Sequence, residues 1–206
     1  MQGAEKTMDL KKAKVFSTNN LVKMSILSVF GYILMVIDFP LPIFPGFLKV
    51  DLSDVPPLIG GFALGPMAGV IIQLMKNILH FITKTSTGGV GELSNFITGT
   101  AYVLPAALIY HYKKDRRRAI IGTLVGTVTM TILGALSNYY LVIPFYSKIM
   151  PIDAIVRMGT VVNSRIVDVK TLVIYGVSPF NIFKGLLIAF VTLIIYKKIS
   201  PILKNN

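Results

Sequence analysis

A chain of 206 residues that is 53% hydrophobic and only 15% charged carries too little charge for an ordinary soluble domain of its size, and its apolar residues lie in long runs, so composition points to a membrane protein. The net charge of +12 is gathered at the ends of the apolar runs, the membrane pattern, and nucleic-acid binding is not expected. The absence of cysteine excludes disulfides, thiolate catalysis and cysteine-held metal, and the mixed polar start of the chain predicts no cleavable signal.

A spanning helix needs about 20 apolar residues. The first candidate runs from Asn20 to Ile37 and is ended by Asp38 and the prolines at 40, 42 and 45. The second follows Ser53-Asp54, an N-cap pair with Pro56 and Pro57 in the first turn, and stops near Gly65-Pro66, too short to cross a bilayer upright. The others cover about Pro66–Ile82, Leu93–Tyr112, Ala119–Ile143 and Pro179–Tyr196. The expected fold is an all-α integral membrane protein of six helices. It has tails at 1–19 and 201–206, one membrane domain at 20–200, an outer loop at 39–53, and a long outer cap at 144–178 with short strands near Val161–Ile174. Lys6, Lys11, Lys12, Lys14 and Lys23, the Lys113–Arg118 cluster, and Lys197, Lys198 and Lys204 fall on one side of such a topology. The positive-inside bias makes that side, and both termini, cytoplasmic. No internal repeat suggests two inverted halves.

Polar side chains inside apolar helices cost free energy and need a reason. Here most fall in the outer halves: Asp51 and Asp54 before helix two, Lys76, Asn77 and His80 on helix three, Glu92 and Asn95 opening helix four, Asn138, Tyr139 and Tyr140 late in helix five, and Asn181 and Lys184 opening helix six. This predicts a pocket open only to the outside, binding a solute both polar and aromatic, with no continuous pore. Asn181 and Lys184, three apart on one helix face, are its leading ligand candidates. Blander readings stand beside them: Asp54 as a helix cap, Lys76 and His80 as partners of Asp54 or Glu92, and Tyr139 and Tyr140 as interfacial aromatics. His80 and His111 fall on opposite sides and cannot share a metal. Paired catalytic carboxylates and a nucleophile elbow are missing, so no enzyme is expected, and Gly88–Gly91 lacks the Gly-Lys-Ser/Thr ending of a phosphate loop.

Leu48-Lys49-Val50-Asp51-Leu52-Ser53-Asp54-Val55-Pro56, with Gly60-Gly61-Phe62-Ala63-Leu64-Gly65-Pro66-Met67-Ala68-Gly69, resembles the loop-one and helix-two region of the substrate-binding S components of energy-coupling factor (ECF) vitamin transporters. Met75-Lys76-Asn77-Ile78-Leu79-His80, Gly89-Val90-Gly91-Glu92-Leu93-Ser94-Asn95-Phe96 and Pro179-Phe180-Asn181-Ile182-Phe183-Lys184-Gly185 extend the resemblance over roughly residues 20–200, nearest to the riboflavin-specific members. It implies a six-helix protein of the prokaryotic plasma membrane that captures riboflavin as transported substrate, without a cofactor. Its partners would be the lipid bilayer, a transmembrane coupling subunit and two ATPases, and it would topple as a body to release its cargo.

On that footing Asn181, Lys184, Glu92, Asn95, Asn138, Lys49, Asp51 and Tyr139 are the expected ligand residues, and Phe44, Phe47 and Leu48 belong to a gating loop. Asn181 offers donor and acceptor to the carbonyl and N–H edge of a flavin; Lys184 offers donors only. Members often carry Ala-xxx-Ala on helix one for docking on the coupling subunit; here Ser25, Ser28 and Gly31, spaced by three, stand in its place. An S component for thiamine, biotin or folate, or a stand-alone secondary transporter, remain the alternatives.

Overall fold

A computed structural model describes residues 17–204, with side chains to residue 196. The expected tail at 1–19, with Lys6, Lys11, Lys12 and Lys14, lies almost wholly outside the described residues, as do Asn205 and Asn206 and the side chains of Lys197, Lys198 and Lys204. Seven helices make up the described chain: α1 (Thr18–Val36), α2 (Val55–Leu64), α3 (Pro66–Lys84), α4 (Val90–Tyr112), α5 (Arg116–Tyr146), α6 (Ile152–Thr160) and α7, which begins at Val169–Leu172 and runs on through Ser178–Lys204. Of these, α1, α4, α5 and α7 are long and apolar enough to cross a membrane. Helix α3 has 19 residues but buries Gln73, Lys76 and Asn77, which lowers its apolar character. At 1.5 Å per residue, the ten residues of α2 cover only about half of a bilayer's hydrocarbon core.

The short α2 sits in the middle of the bundle, against α1, α3, α4 and α7, and every residue from Val55 to Phe62 is buried. Gly65 ends it at φ 123°, a left-handed value that favours glycine, and α3 starts at once with Pro66. Close packing needs small residues: a Cβ on Gly69 would stand 2.6 Å from Val103 Cγ1 and 2.9 Å from the Pro57 carbonyl. Phe62, Leu58, Tyr102, Val103, Ala106 and Ile188 form the apolar core around α2.

Connectivity gives the bundle two unlike ends. Loop 37–54, the α3–α4 turn and the α5–α7 connection meet at one end, the cavity end. The α2–α3 and α4–α5 turns and both ends of the described chain meet at the other. Loop 37–54 folds into a small flap whose base is an antiparallel pair, β1 (Phe39–Pro40) and β2 (Lys49–Val50), with Phe39 opposite Val50.

Two expectations are corrected. No strand forms over Val161–Ile174; the segment holds the turns that follow α6 and the start of α7. Val167 and Asp168 use their backbone N–H groups on Thr171 Oγ1 while Asp168 caps Thr171, and this local capping box starts α7 ten residues before the expected Pro179. Helix one also turns its small residues inward: Ser28 is 2% exposed, Gly31 is buried against Lys76 and the Ser53 carbonyl, and only Ser25 remains exposed. Of the three residues expected at the docking face, Ser28 and Gly31 are thus buried within the bundle and Ser25 alone is exposed.

Candidate functional site

The cavity end encloses a pocket of about 920 Å³ of empty space, open mouth included. Four elements supply its walls. The flap contributes Phe47, Leu48 and Lys49; α4 contributes Gly91, Ser94, Asn95 and Thr98, an i, i+3, i+4, i+7 stripe; α5 contributes Met130, Asn138 and Tyr146; α7 contributes Val177, Phe180, Asn181 and Lys184. Met150, Ile155 and Met158 close it from the α6 side. The wall is largely apolar and aromatic, with three amides and an ammonium group converging on it.

A π turn interrupts two of the three helices carrying those groups, at Asn138–Val142 in α5 and at Val173–Val177 in α7. Each inserts an extra residue into the helical turn and rotates the later residues to a new face. Asn138 comes to the cavity wall while Tyr139 stays 41% exposed outside it, stacked edge-on with Tyr140 at 4.9 Å.

The three amides differ in what they have left to offer. Asn138 Nδ2 donates to the Gly134 carbonyl at 2.9 Å. Asn95 Oδ1 and its backbone carbonyl both accept from Gln73 Nε2. Asn181, only 4% exposed, has an Nδ2 with no partner among the described residues, and a buried donor of this kind is costly unless a ligand or water meets it. Gly134 makes this arrangement possible, because a Cβ there would stand 2.4 Å from that Nδ2.

Under the wall lies a buried ion cluster. Lys184 Nζ donates to Asp51 Oδ2 at 3.0 Å and pairs with Asp54 Oδ2 at 3.3 Å; Lys76 Nζ donates to Asp54 Oδ1 and Ser53 Oγ. Asp54 makes no side-chain helix cap, so the ion-pair reading of this residue replaces the cap reading. The second expected pair also forms: His80 Nδ1 lies 2.7 Å from Glu92 Oε1, while Thr85 and Thr87 donate to Glu92 Oε2.

Of the expected ligand residues, Asn181, Lys184, Asn95, Asn138 and Lys49 line the pocket, whereas Glu92, Asp51 and Tyr139 do not. Glu92 is engaged by α3 and the α3–α4 turn, and Asp51 stands behind Lys184. Of the flap residues, Phe47 and Leu48 face the pocket, and Phe44 instead plugs the flap onto α7 through Phe180 at 5.4 Å and Phe183 at 5.8 Å. Sequence reasoning passed over Gln73, a fully buried amide that joins Asp54 to Asn95, although an amide inside an apolar helix was a signal. It also passed over Ser94 and Thr98, which the α4 stripe through Asn95 marks.

Beyond this geometry, the family described as "ECF transporter, substrate-specific component" matches residues 19–196. The chain belongs to that family. It is 36% identical over 183 residues to the riboflavin transporter FmnP of Bacillus subtilis, spanning 88% of this chain and 92% of that protein. It is 32% identical over 195 residues to the riboflavin transporter RibU of Staphylococcus aureus, spanning 95% and 97%. A solved S component of a bacterial ECF transporter superposes with a TM-score of 0.70 at 32% identity, covering 90% of this chain and 97% of that one. The chain is thus a multi-pass membrane transporter component, and the enzyme reading is set aside.

Proposed function

We infer that this S component captures riboflavin in the pocket at its cavity end, for ATP-driven uptake by a coupling subunit and two ATPase subunits in a prokaryotic plasma membrane. The observation that carries the reading is the pairing of an apolar, aromatic slot with a free buried amide at Asn181 and a lysine at 184. A flavin has flat apolar ring faces and one edge of alternating acceptors around a single N–H, so the slot suits the faces and Asn181 with Lys184 suits the edge. The relatives named as riboflavin transporters support the same substrate.

In this reading the six helices α1–α5 and α7 all lie within the bilayer, α2 only partly spanning it, and the cavity end faces outward. The Lys113–Arg118 cluster shares the opposite end with both ends of the described chain, which supports a cytoplasmic placement of that end. Loop 39–53 acts as the gate, with Phe47 and Leu48 over the ligand and Phe44 as its latch on α7. Docking on the coupling subunit falls to the outward face of α1, where Ser25 lies among Leu21, Val22, Ile26 and Val29.

Purified protein is expected to be yellow from bound flavin, and to quench riboflavin fluorescence on titration after the bound ligand is removed. Colourless protein that ignores riboflavin but binds thiamine, biotin or folate would refute the substrate. Riboflavin uptake in cells lacking the coupling module would refute the role as a component.

A further inference from the structure

The ion cluster beneath the pocket contains four charged side chains, and only Lys184 reaches the wall. Asp51, Asp54, Lys76 and Lys184 are all more than nine-tenths buried, with Lys76 at 0% exposure. Two carboxylates and two ammonium groups sum to zero. Asp54 is the shared node: Oδ1 takes Lys76 and Gln73, and Oδ2 takes Lys184. Gln73 in turn holds Asn95 on the pocket wall. An ammonium group has three N–H bonds. Two of those on Lys184 point at Asp51 and Asp54, which leaves one for the pocket.

We propose that Lys76, which does not touch the pocket, is a positioning residue for it: by neutralising Asp54 from behind, it leaves Lys184 with an N–H for a ligand acceptor. This deepens the flavin reading and rests on it. Without Lys76 the cluster carries one excess negative charge, and Lys184 is the only cation between two buried carboxylates. Attraction at short range in a low-dielectric interior is strong, so Lys184 is drawn back toward Asp54 and away from the pocket. The excess charge also repels the acceptor edge of a flavin. The fold makes room for the lysine stem with a glycine on α1: a Cβ on Gly31 would stand 3.3 Å from Lys76 Cδ.

A purely structural ion pair would make a different prediction, because its loss lowers the melting temperature and leaves the affinity of the folded protein unchanged. The test is riboflavin titration in detergent of wild type, Lys76→Met, Asp54→Asn and the double variant, with melts run alongside. Lys76→Met is expected to lose about tenfold or more in affinity while folded. The double variant removes one ion pair whole and keeps Lys184 on Asp51, so it is expected to return to within about threefold of wild type, a coupling a double-mutant cycle reads directly. Should Lys76→Met not fold, Lys76→Gln, whose amide still donates to Asp54, is held to the same tenfold loss. Unchanged affinity in the folded Lys76 variant, or a folded double variant as weak as the single, overturns the proposal. A wild-type protein that does not bind riboflavin overturns the flavin reading first, and this inference with it.

Discussion

Gly134→Ala puts the smallest possible probe against Asn181. The new methyl carbon would stand 2.4 Å from Asn181 Nδ2, 3.4 Å from its Cγ and 3.2 Å from Thr98 Cγ2. Ordinary contact needs about 3.5 Å, so the amide end must move by about 1 Å. Losing the aligned hydrogen bond to a ligand costs about 1–3 kcal/mol, or about 5- to 150-fold in affinity. Helix propensity works the opposite way, since alanine in a helix interior is favoured over glycine by up to about 1 kcal/mol. Gly134→Ala should therefore weaken riboflavin binding without a matching loss of melting temperature. Fluorescence titration and a melt in the same detergent check both halves. Binding within twofold of wild type, in a preparation where Asn181→Ala is clearly weakened, would refute the steric argument. Unweakened binding by Asn181→Ala itself would remove Asn181 from the site.

Lys184→Ala is expected to damage the fold as well as the affinity, because it strands Asp51 and leaves Asp54 half-paired; breaking a buried pair costs about 3–5 kcal/mol. A sharply lowered melting temperature checks this, and an unshifted melt contradicts it. Spin or fluorescent probes replacing Phe47 should become more restricted on adding riboflavin, whereas a probe replacing Phe44 should loosen the flap before any ligand is added; probes indifferent to riboflavin count against the gate. Hydrogen bonds from the Thr171 backbone and hydroxyl hold the exposed Asp168 carboxyl below its usual value of 3.8. With the folded value depressed, its stabilisation of the α7 start is present above about pH 4 and fades as acid takes the pH down through the folded value. Amide exchange at Thr171 should rise over that acid range in wild type and show no such step in Asp168→Ala.

Parts of this architecture were legible in the residues because the signals were local. Ser53-Asp54 with Pro56 and Pro57 gave the start of α2, and Gly65-Pro66 gave its end, since both depend on backbone chemistry within a turn or two. The Lys76–Asp54 and His80–Glu92 pairs were legible for a different reason: a charge in lipid needs a partner, and few were within reach. The π turns were not legible, because a helix with one extra residue in a turn has the same composition as one without. That single-residue shift sets which face the residues following Asn138 present. The inward turn of Ser28 and Gly31 was not legible, because it depends on tertiary packing, in which Lys76 of α3 lies against Gly31.

The pocket ends on a packed floor, and this constrains how cargo leaves. Below Asn95 and Lys184 lie Phe62, Leu58, Tyr102 and Ile188, all at most 1% exposed, and Tyr102 ties α4 to the Gly185 carbonyl of α7 at 3.1 Å. Removing one such side chain from a core costs about 2–5 kcal/mol, so a channel opened by unpacking several would cost as much as a typical domain's whole stability of about 5–15 kcal/mol. Movement of the bundle as one body avoids that cost. The two routes separate in a cross-linking experiment. A Cβ on Gly61 would lie 3.1 Å from the Ala107 Cβ, within about 0.5 Å of the disulfide range, and the chain has no native cysteine to interfere. Gly61→Cys with Ala107→Cys should thus lock α2 to α4 across the core. If the bundle moves whole, oxidised protein supplied with its energising partners takes up riboflavin at the rate of the reduced form. Uptake that stops on oxidation and returns with a thiol reductant would show instead that the core itself opens.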